Sequence, residues 1–368
     1  MLPRTDDAFE DWRRAPAPCE PTDPRFEVRR AHPSEFDAIF DLVDETFGVK
    51  RPRAQYDWLY RRNPHGTARC WLVSEKVSRN IVGSGAIFPW PAARGSEPLT
   101  AGLSGDAVTA PGWQRQGISQ VRYDAREAHS WYPRSVLISW SNEKSRGART
   151  KHGRGQRLAD SVTKGVFVLR AKGIFDRRGR LRPLTTAGGA VADVMLEAWR
   201  KMALGRRSGV MIEPVRRFDS AFDEVTRRCM AWPKFWCPHD AAFLNWRYLD
   251  HPTKEHMAFA AVIGGELAGY CVVQIARERA WLLDFVAPQQ PPPIARALLF
   301  HAVAAARAAG CARLDFIALP GWRHWGLFRR AGFVSRASGM FLLVEGRYEP
   351  EVCDLQNWQF VLGDTDFL

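Results

Sequence analysis

The sequence predicts an α/β fold made of two tandem copies of one domain. The first observation is a strand, residues 106–110, that leads through Pro111 and a glycine-containing loop into a helix. The second is the pattern W-x-Y-x-x-x-P, which occurs at residues 58–64 and again at residues 246–252. The offset between the copies is 188 residues (246 − 58). So long an offset indicates a duplicated domain, because solenoid repeats recur every ~20–50 residues.

Each copy of the pattern is followed by elements in the same order. The residue types predict two strands, a strand that ends in proline, a helix and a further strand. In the first half these are residues 70–74, 81–86, 107–111, 119–131 and 135–139. In the second half they are residues 257–263, 267–273, 282–288, 294–309 and 314–319. An opening strand and helix are predicted before each copy, at residues 25–30 and 33–47 and at residues 215–218 and 220–228.

Composition divides the chain into four predicted parts. Residues 1–25 form an N-terminal tail, and residues 26–172 form the first domain. Residues 173–214 are a basic linker, in which residues 190–204 show the spacing of an amphipathic helix. Such a helix could lie on a membrane, but we expect it to bridge the domains. Residues 215–368 form the second domain.

The bulk composition fits a soluble protein that binds an anionic ligand. Among its 368 residues none form an apolar run long enough for a transmembrane helix, and no secretory signal is visible. Seven scattered cysteines without a CxxC pair favour reduced thiols in the cytoplasm. Cys229, Cys237 and His239 fit no common zinc spacing, so we expect no metal. We assign part of the net charge of +13 to a phosphorylated cofactor rather than to nucleic acid.

The loop at residues 114–119 predicts an anion site. It follows the pattern Gln/Arg-x-x-Gly-x-small and stands between a strand and a helix. Backbone N–H groups at a helix N-terminus have no partner within the helix, and the helix dipole favours negative charge there. A phosphate is therefore the expected ligand of this loop.

The loop resembles the pyrophosphate loop of the GCN5-related N-acetyltransferase (GNAT) superfamily, although Ser119 stands where the family has Gly or Ala. The resemblance implies α/β (α+β) domains, each a twisted mixed β-sheet flanked by helices. It also implies acetyl-CoA or another acyl-CoA as co-substrate. The pyrophosphate would lie on Gln114, Arg115, Gln116, Gly117, Ile118 and Ser119, and the pantetheine arm beside Val108 and Thr109. Further positions of the family pattern fall on Asn142, Ser145 and Arg149.

Arg149 stands where many members of the family have a tyrosine that protonates the thiolate. An arginine is a poor acid because its pKa is too high. For the base that deprotonates the amine, the resemblance favours Asp106, with His152 and Glu143 as alternatives. Asp106 could equally be a structural carboxylate bonded to backbone or to an arginine. Trp58 and Trp246 recur in both halves, whereas the cofactor loop occurs in one half only. We therefore expect these tryptophans to serve packing rather than cofactor binding.

The second half lacks a phosphate loop, because Pro291, Pro292 and Pro293 offer no N–H groups. Its ending, residues 328–333, still resembles the family, so we expect a degenerate second domain. The resemblance implies an acyl-CoA-dependent N-acyltransferase that acts on a primary amine of a small molecule or sugar. Two alternatives stay open: a Fem-type transferase that uses aminoacyl-tRNA, and a non-catalytic CoA-binding scaffold.

Overall fold

The computed structural model describes most of the chain. The described residues are 21, 23–129, 135–141, 162–170, 209–230, 233–289, 292–346 and 350–366. The predicted linker helix at residues 190–204 lies outside them. No helix in these ranges is both long and apolar enough to cross a membrane. Nor do the described residues contain a cluster of three metal-ligating side chains.

Strands and helices alternate along both halves of the chain. The strands are β1 (Phe26–Arg30), β2 (Arg69–Glu75), β3 (Ile81–Arg94), β4 (Glu97–Thr109), β5 (Ser135–Ser141), β6 (Thr163–Val168), β7 (Met211–Val215), β8 (Phe235–Trp236), β9 (His256–Ile263), β10 (Glu266–Ala276), β11 (Arg279–Val286), β12 (Arg313–Ala318), β13 (Val334–Ala337), β14 (Phe341–Gly346) and β15 (Trp358–Gln359). The helices are α1 (Phe36–Phe47), α2 (Arg53–Tyr60), α3 (Ile118–His129), α4 (Ser220–Cys229), α5 (Ala241–Leu244), α6 (Pro292–Ala308) and α7 (Trp325–Ala331). A π-helical turn, Asn245–Leu249, continues α5.

The strands form two mixed sheets, as the predicted fold class requires. The first has the order β1-β2-β3-β4-β5-β14, with the short strands β8 and β15 attached beside β3. The second has the order β13-β6-β12-β11-β10-β9-β7. Each sheet contains one central parallel pair, β4 with β5 and β11 with β12. The remaining main pairs are antiparallel, so the two halves share one arrangement.

The two halves exchange a strand. β6, from the first half of the chain, pairs with β12 and β13 in the second sheet. β14, from the second half, pairs with β5 in the first sheet. Neither sheet is therefore complete without the other half. The domain boundaries at residues 172 and 215 remain a prediction. Because the strands are exchanged, a boundary drawn along the sequence does not coincide with the division of the strands between the two sheets.

Helix α1 shows how the sequence attaches helices to the sheets. Phe36, Ile39, Phe40 and Val43 recur at helical spacing and are all buried, so one face of the helix enters the core. Gly48 ends the helix with φ 63°, a left-handed conformation that suits glycine. Helix α6 packs in the same way on strands of the second sheet.

The repeated motifs meet at the centre of the molecule. The rings of Trp58 and Trp246 stack with their centroids 4.5 Å apart. Each indole N–H donates to the backbone carbonyl of the other residue, at 2.7 Å for Trp58 Nε1 and 3.0 Å for Trp246 Nε1. Both lie within one hydrophobic cluster drawn from both halves. The repeat thus produces an approximately two-fold contact that joins the halves.

Candidate functional site

The first cleft is the gap between β4 and β5. The two strands pair from Thr100 with Ser135 to Ser104 with Ser139. Beyond this point β4 continues to Thr109 and β5 to Ser141 without further pairing between them. Among the described residues, the far end of β4 therefore has no partner strand on this side, and such an edge can bind an extended ligand through backbone hydrogen bonds.

A bulge in β4 sets the direction of its backbone groups at this edge. Asp106 has φ 42°, and the register with β3 shifts between Ser84 and Ala86. Ala110 N–H donates to Val82 O at 2.9 Å, which means that the backbone groups of Ala110 face β3. Because backbone groups alternate along a strand, those of Ala107 and Thr109 face the gap. The Val108 side chain is instead buried in the core.

The loop after β4 contains three residues in the left-handed backbone conformation. Gly112, Arg115 and Gly117 have φ values of 84°, 64° and 86°. Left-handed residues in such a loop turn successive N–H groups toward one side, at the start of α3. Ile118 is buried and anchors the loop, while Gln114 and Gly117 are exposed. Gln116 Nε2 donates to Gly112 O at 3.1 Å and closes the turn.

The corresponding second cleft, between β11 and β12, is filled by the protein itself. These strands pair from Arg279 with Arg313 to Leu282 with Phe316 and then separate. The middle of the C-terminal segment (residues 358–366) enters this space, whereas Trp358 and Gln359 pair with β8 and Asp366 lies beside Gly105 of β4. Val361 forms an antiparallel bridge with Ala318, and Leu319 N–H donates to Phe360 O at 3.3 Å.

Solved structures share this fold. A GCN5-related N-acetyltransferase from Anabaena variabilis is 10% identical and matches with a TM-score of 0.60, over 87% of this chain and 72% of that one. Another, from Kribbella flavida, is 13% identical with a TM-score of 0.54, over 86% and 71%. N-myristoyltransferase of Saccharomyces cerevisiae, solved with bound myristoyl-CoA and inhibitors, is 10% identical with a TM-score of 0.56, over 100% and 91%.

The fold is that of the GCN5-related N-acetyltransferases. The likeness lies in structure alone, since no protein-family model and no curated protein matches the sequence. The predicted GNAT fold class is thereby confirmed, with two mixed sheets flanked by helices.

Within this GNAT fold, Asp106 is already engaged by its neighbours. Its side chain is buried, and Arg51 Nη1 donates to both carboxylate oxygens at 3.0 Å. Tyr60 Oη donates to Oδ2 at 2.9 Å. Burial and the Asp106 charge raise the pKa of Tyr60 well above its usual value, so the phenol stays protonated and donates. These bonds tie the β4 bulge to α2 and compete with a role for Asp106 as base.

A second carboxylate, Asp366, lies at the same place and was missed from the sequence. Its Oδ2 lies 2.7 Å from where a Cβ on Gly105 would stand. Its Oδ1 is buried without a hydrogen-bond partner. Burial and the negative charge of Asp106 raise the pKa of Asp366 to about 6. The only sequence signal was Gly105 itself, a glycine inside a strand, which can mark a close approach.

His239 fixes the C-terminal segment in the second cleft. Its Nδ1 lies 2.6 Å from Asp284 Oδ2, and its Nε2 lies 2.7 Å from Asp364 Oδ1. Burial alone would lower the pKa of His239, but the two carboxylates outweigh it and raise the pKa to about 10. Arg247 adds a hydrogen bond to Gly363 O at 3.2 Å and another to Thr365 O.

The other predicted site residues lie outside the described part of the chain. They are Asn142, Glu143, Ser145, Arg149 and His152. Their roles stay predictions. The structure does place Asp106, Val108, Thr109 and the loop 114–119 on one continuous stretch around the first cleft.

Proposed function

We propose that the protein is an acyl-CoA-dependent N-acyltransferase that acylates a primary amine of a small molecule or sugar. The supporting observation is the difference between its two clefts. The first has an unpaired β4 edge next to a loop suited to phosphate, whereas in the second Phe360 and Val361 bond to the end of β12 and occupy the gap. The same fold thus offers one place for a pantetheine arm.

The first cleft supplies groups for acyl transfer from a thioester. The backbone N–H groups of Ala107 and Thr109 face the gap and can donate to the thioester carbonyl, where negative charge develops. The amine must lose a proton before or during attack. Asp366, with its pKa raised to about 6, is charged at neutral pH and can accept that proton. Asp106 remains the alternative base, although its oxygens already accept three hydrogen bonds.

Calorimetry with acetyl-CoA and longer acyl-CoAs tests the cofactor site. We expect one acyl-CoA per chain. Gly117→Ala places a side chain at φ 86°, which strains the loop and blocks close approach of a phosphate. Its affinity should fall about tenfold or more, equivalent to roughly 1.4 kcal/mol.

Gly264→Ala is the matched control, because Gly264 also has positive φ and open surroundings but lies in the β9–β10 turn. Two equivalent sites per chain, or equal affinity in both variants, would refute the proposed site. Release of free CoA with an amine panel tests turnover. Tight binding without any turnover would favour a scaffold instead.

A further inference from the structure

Arg122 extends from the second turn of α3 to the place where β3 and β4 shift their register. Its Nη1 donates to Ser84 O at 2.6 Å and to Val108 O at 3.0 Å. Ser84 belongs to β3 and Val108 to β4, and both residues are buried. Buried carbonyl groups require hydrogen-bond donors. A single guanidinium group therefore links the two strands beside the bulge.

Gly85 provides the space for this side chain. It lies between Ser84 and Ala86, where the register of β3 with β4 shifts. A Cβ atom on Gly85 would lie 2.9 Å from Arg122 Cδ and 3.1 Å from its Nε. Glycine within a strand permits a close approach that a side chain would prevent. The position of the guanidinium group therefore depends on both residues.

The hydrogen bond to Val108 O also fixes the direction of the next N–H group. A trans peptide unit is planar, so the C=O of Val108 and the N–H of Thr109 point in opposite directions. Val108 O points to the side of β3, because the same Nη1 atom also binds Ser84 O. Thr109 N–H therefore points into the gap between β4 and β5. It is one of the two groups that the proposed function assigns to the thioester carbonyl.

The charge of Arg122 strengthens Thr109 N–H as a donor. A hydrogen bond from an ionised donor is roughly twice as strong as one between neutral groups. Hydrogen bonds at the two ends of one peptide unit polarise each other, so a strong bond at the C=O end strengthens donation at the N–H end. The guanidinium group also places positive charge behind a donor that faces a developing negative charge.

We propose that Arg122 is a positioning residue for acyl transfer. It holds and polarises the Val108–Thr109 peptide unit, so that Thr109 N–H binds the carbonyl oxygen of the thioester. This inference rests on the proposed function and adds to it a residue that acts through the backbone of β4 and does not touch the acyl group. Because Nη1 bonds to strand carbonyls, we assign Arg122 to β4 rather than to the phosphates of the co-substrate.

Infrared difference spectroscopy tests the proposal without turnover. The probe is acetyl-CoA with a ¹³C-labelled carbonyl, bound to the full chain in the absence of an amine. Stronger hydrogen bonding lowers the stretching frequency of the carbonyl, so this frequency should be higher in Arg122→Met than in the wild type. Arg122→Lys, which keeps a charged donor, should give an intermediate frequency. Gly85→Ala, which displaces the guanidinium group but retains it, should raise the frequency as well.

Kinetics and calorimetry separate positioning from binding. In Arg122→Met, kcat should fall about tenfold, less than the roughly 10²–10³-fold cost of losing a donor, because Thr109 N–H remains. The affinity for free CoA should stay nearly unchanged. Arg126→Met is the matched control, since Arg126 lies one turn further along α3 and forms an ion pair with Glu345 at 3.2 Å. It should lower stability in urea but keep the wild-type carbonyl frequency.

The outcomes distinguish this inference from the proposed function. The same carbonyl frequency in wild type, Arg122→Met and Gly85→Ala would overturn the inference and leave the proposed function standing. An equal loss of affinity for acetyl-CoA and free CoA in Arg122→Met, at unchanged frequency, would assign Arg122 to the phosphates and also overturn it. If no amine is acylated but the frequency depends on Arg122, the proposed function fails and the role of Arg122 in binding the thioester stands. If Arg122→Met does not fold, Gly85→Ala decides between these outcomes.

Discussion

At the scale of single residues, two carboxylates lie next to the β4 bulge in different states. Both oxygens of Asp106 accept hydrogen bonds from Arg51, and Oδ2 accepts a further one from Tyr60. Asp366 keeps one buried oxygen without a partner, and its pKa is raised to about 6. The first is suited to holding a bulge, and the second to taking a proton.

Asp366→Asn should therefore lower kcat by roughly 10²–10⁴-fold, the usual contribution of a positioned base. Acyl-CoA affinity, measured by calorimetry, should stay nearly unchanged. A base works only when deprotonated, so wild-type kcat/KM should fall as the pH drops through about 6. In the variant this acid limb should disappear. A normal kcat for Asp366→Asn would return the role of base to Asp106.

Asp106→Asn is the paired variant. It removes the charge from a buried carboxylate that accepts three hydrogen bonds, so the free energy of unfolding should fall by about 1.5–3 kcal/mol. Urea denaturation measures this loss, and Asp366→Asn should not share it. The sequence favoured a catalytic effect of Asp106→Asn with the fold intact. A stable but inactive Asp106→Asn would support that earlier expectation.

The sequence predicted the location of Asp106 but not its partners. Asp106 stands just before a motif of known spacing, so a pattern can find it. Arg51 and Asp366 lie in unpatterned segments far apart in the chain. They come together only because the halves pack around Trp58 and Trp246 and the C-terminal segment returns to β4. No local spacing encodes that path.

At the scale of elements, helices were predicted well and the central hairpin poorly. The helix predicted at residues 119–131 is Ile118–His129, and that at 294–309 is Pro292–Ala308. By contrast β3 extends to Arg94 and β4 begins at Glu97. Pro89 and Pro91 obscured this, because proline normally interrupts a strand. They are tolerated here because one edge of β3 has no partner strand over this stretch. Its pairing with β2 ends at Ile87, and its pairing with β8 begins only at Ala93, so no N–H donors are needed along this edge.

His239 makes the fit of the C-terminal segment depend on pH. Its folded pKa of about 10 lies above its ordinary value of 6.5. The stability that it adds is therefore complete below about pH 6.5 and is lost as the pH rises through 10. The difference in unfolding free energy between wild type and His239→Gln should shrink over this range, as urea denaturation can measure.

Asp364→Asn serves as the control for this effect. With one carboxylate removed, the pKa of His239 should be lower, so the loss of stability should be complete at a lower pH. A difference between wild type and His239→Gln that is constant from pH 6.5 to 10 would contradict the ion-pair explanation.

At the scale of the whole molecule, a stacked tryptophan pair lies between the halves. Trp58 and Trp246 stack and exchange hydrogen bonds within a shared core. Replacing either by alanine should lower the unfolding free energy by about 3–5 kcal/mol. The two losses should not add, because each substitution already removes the shared stack.

A double-mutant cycle, monitored by denaturation, measures that coupling. Trp113→Ala is a matched control, since Trp113 is half-buried and contacts Phe26 within the first half only. Additive effects of Trp58→Ala and Trp246→Ala would show that the halves are stabilised separately. The repeated motif in the sequence predicted the duplication, but it contained no sign that the copies bind each other.

The exchange of β6 and β14 also limits the order in which the chain can fold while it is being synthesised. When residue 141 has left the ribosome, β5 can pair with β4 but has no neighbour on its other side. That neighbour, β14, emerges only after about two hundred further residues, and Asp366 follows it. Until then the nascent chain exposes a strand edge open to wrong partners. The cleft that we propose to be active is thus among the last parts of the molecule to be completed.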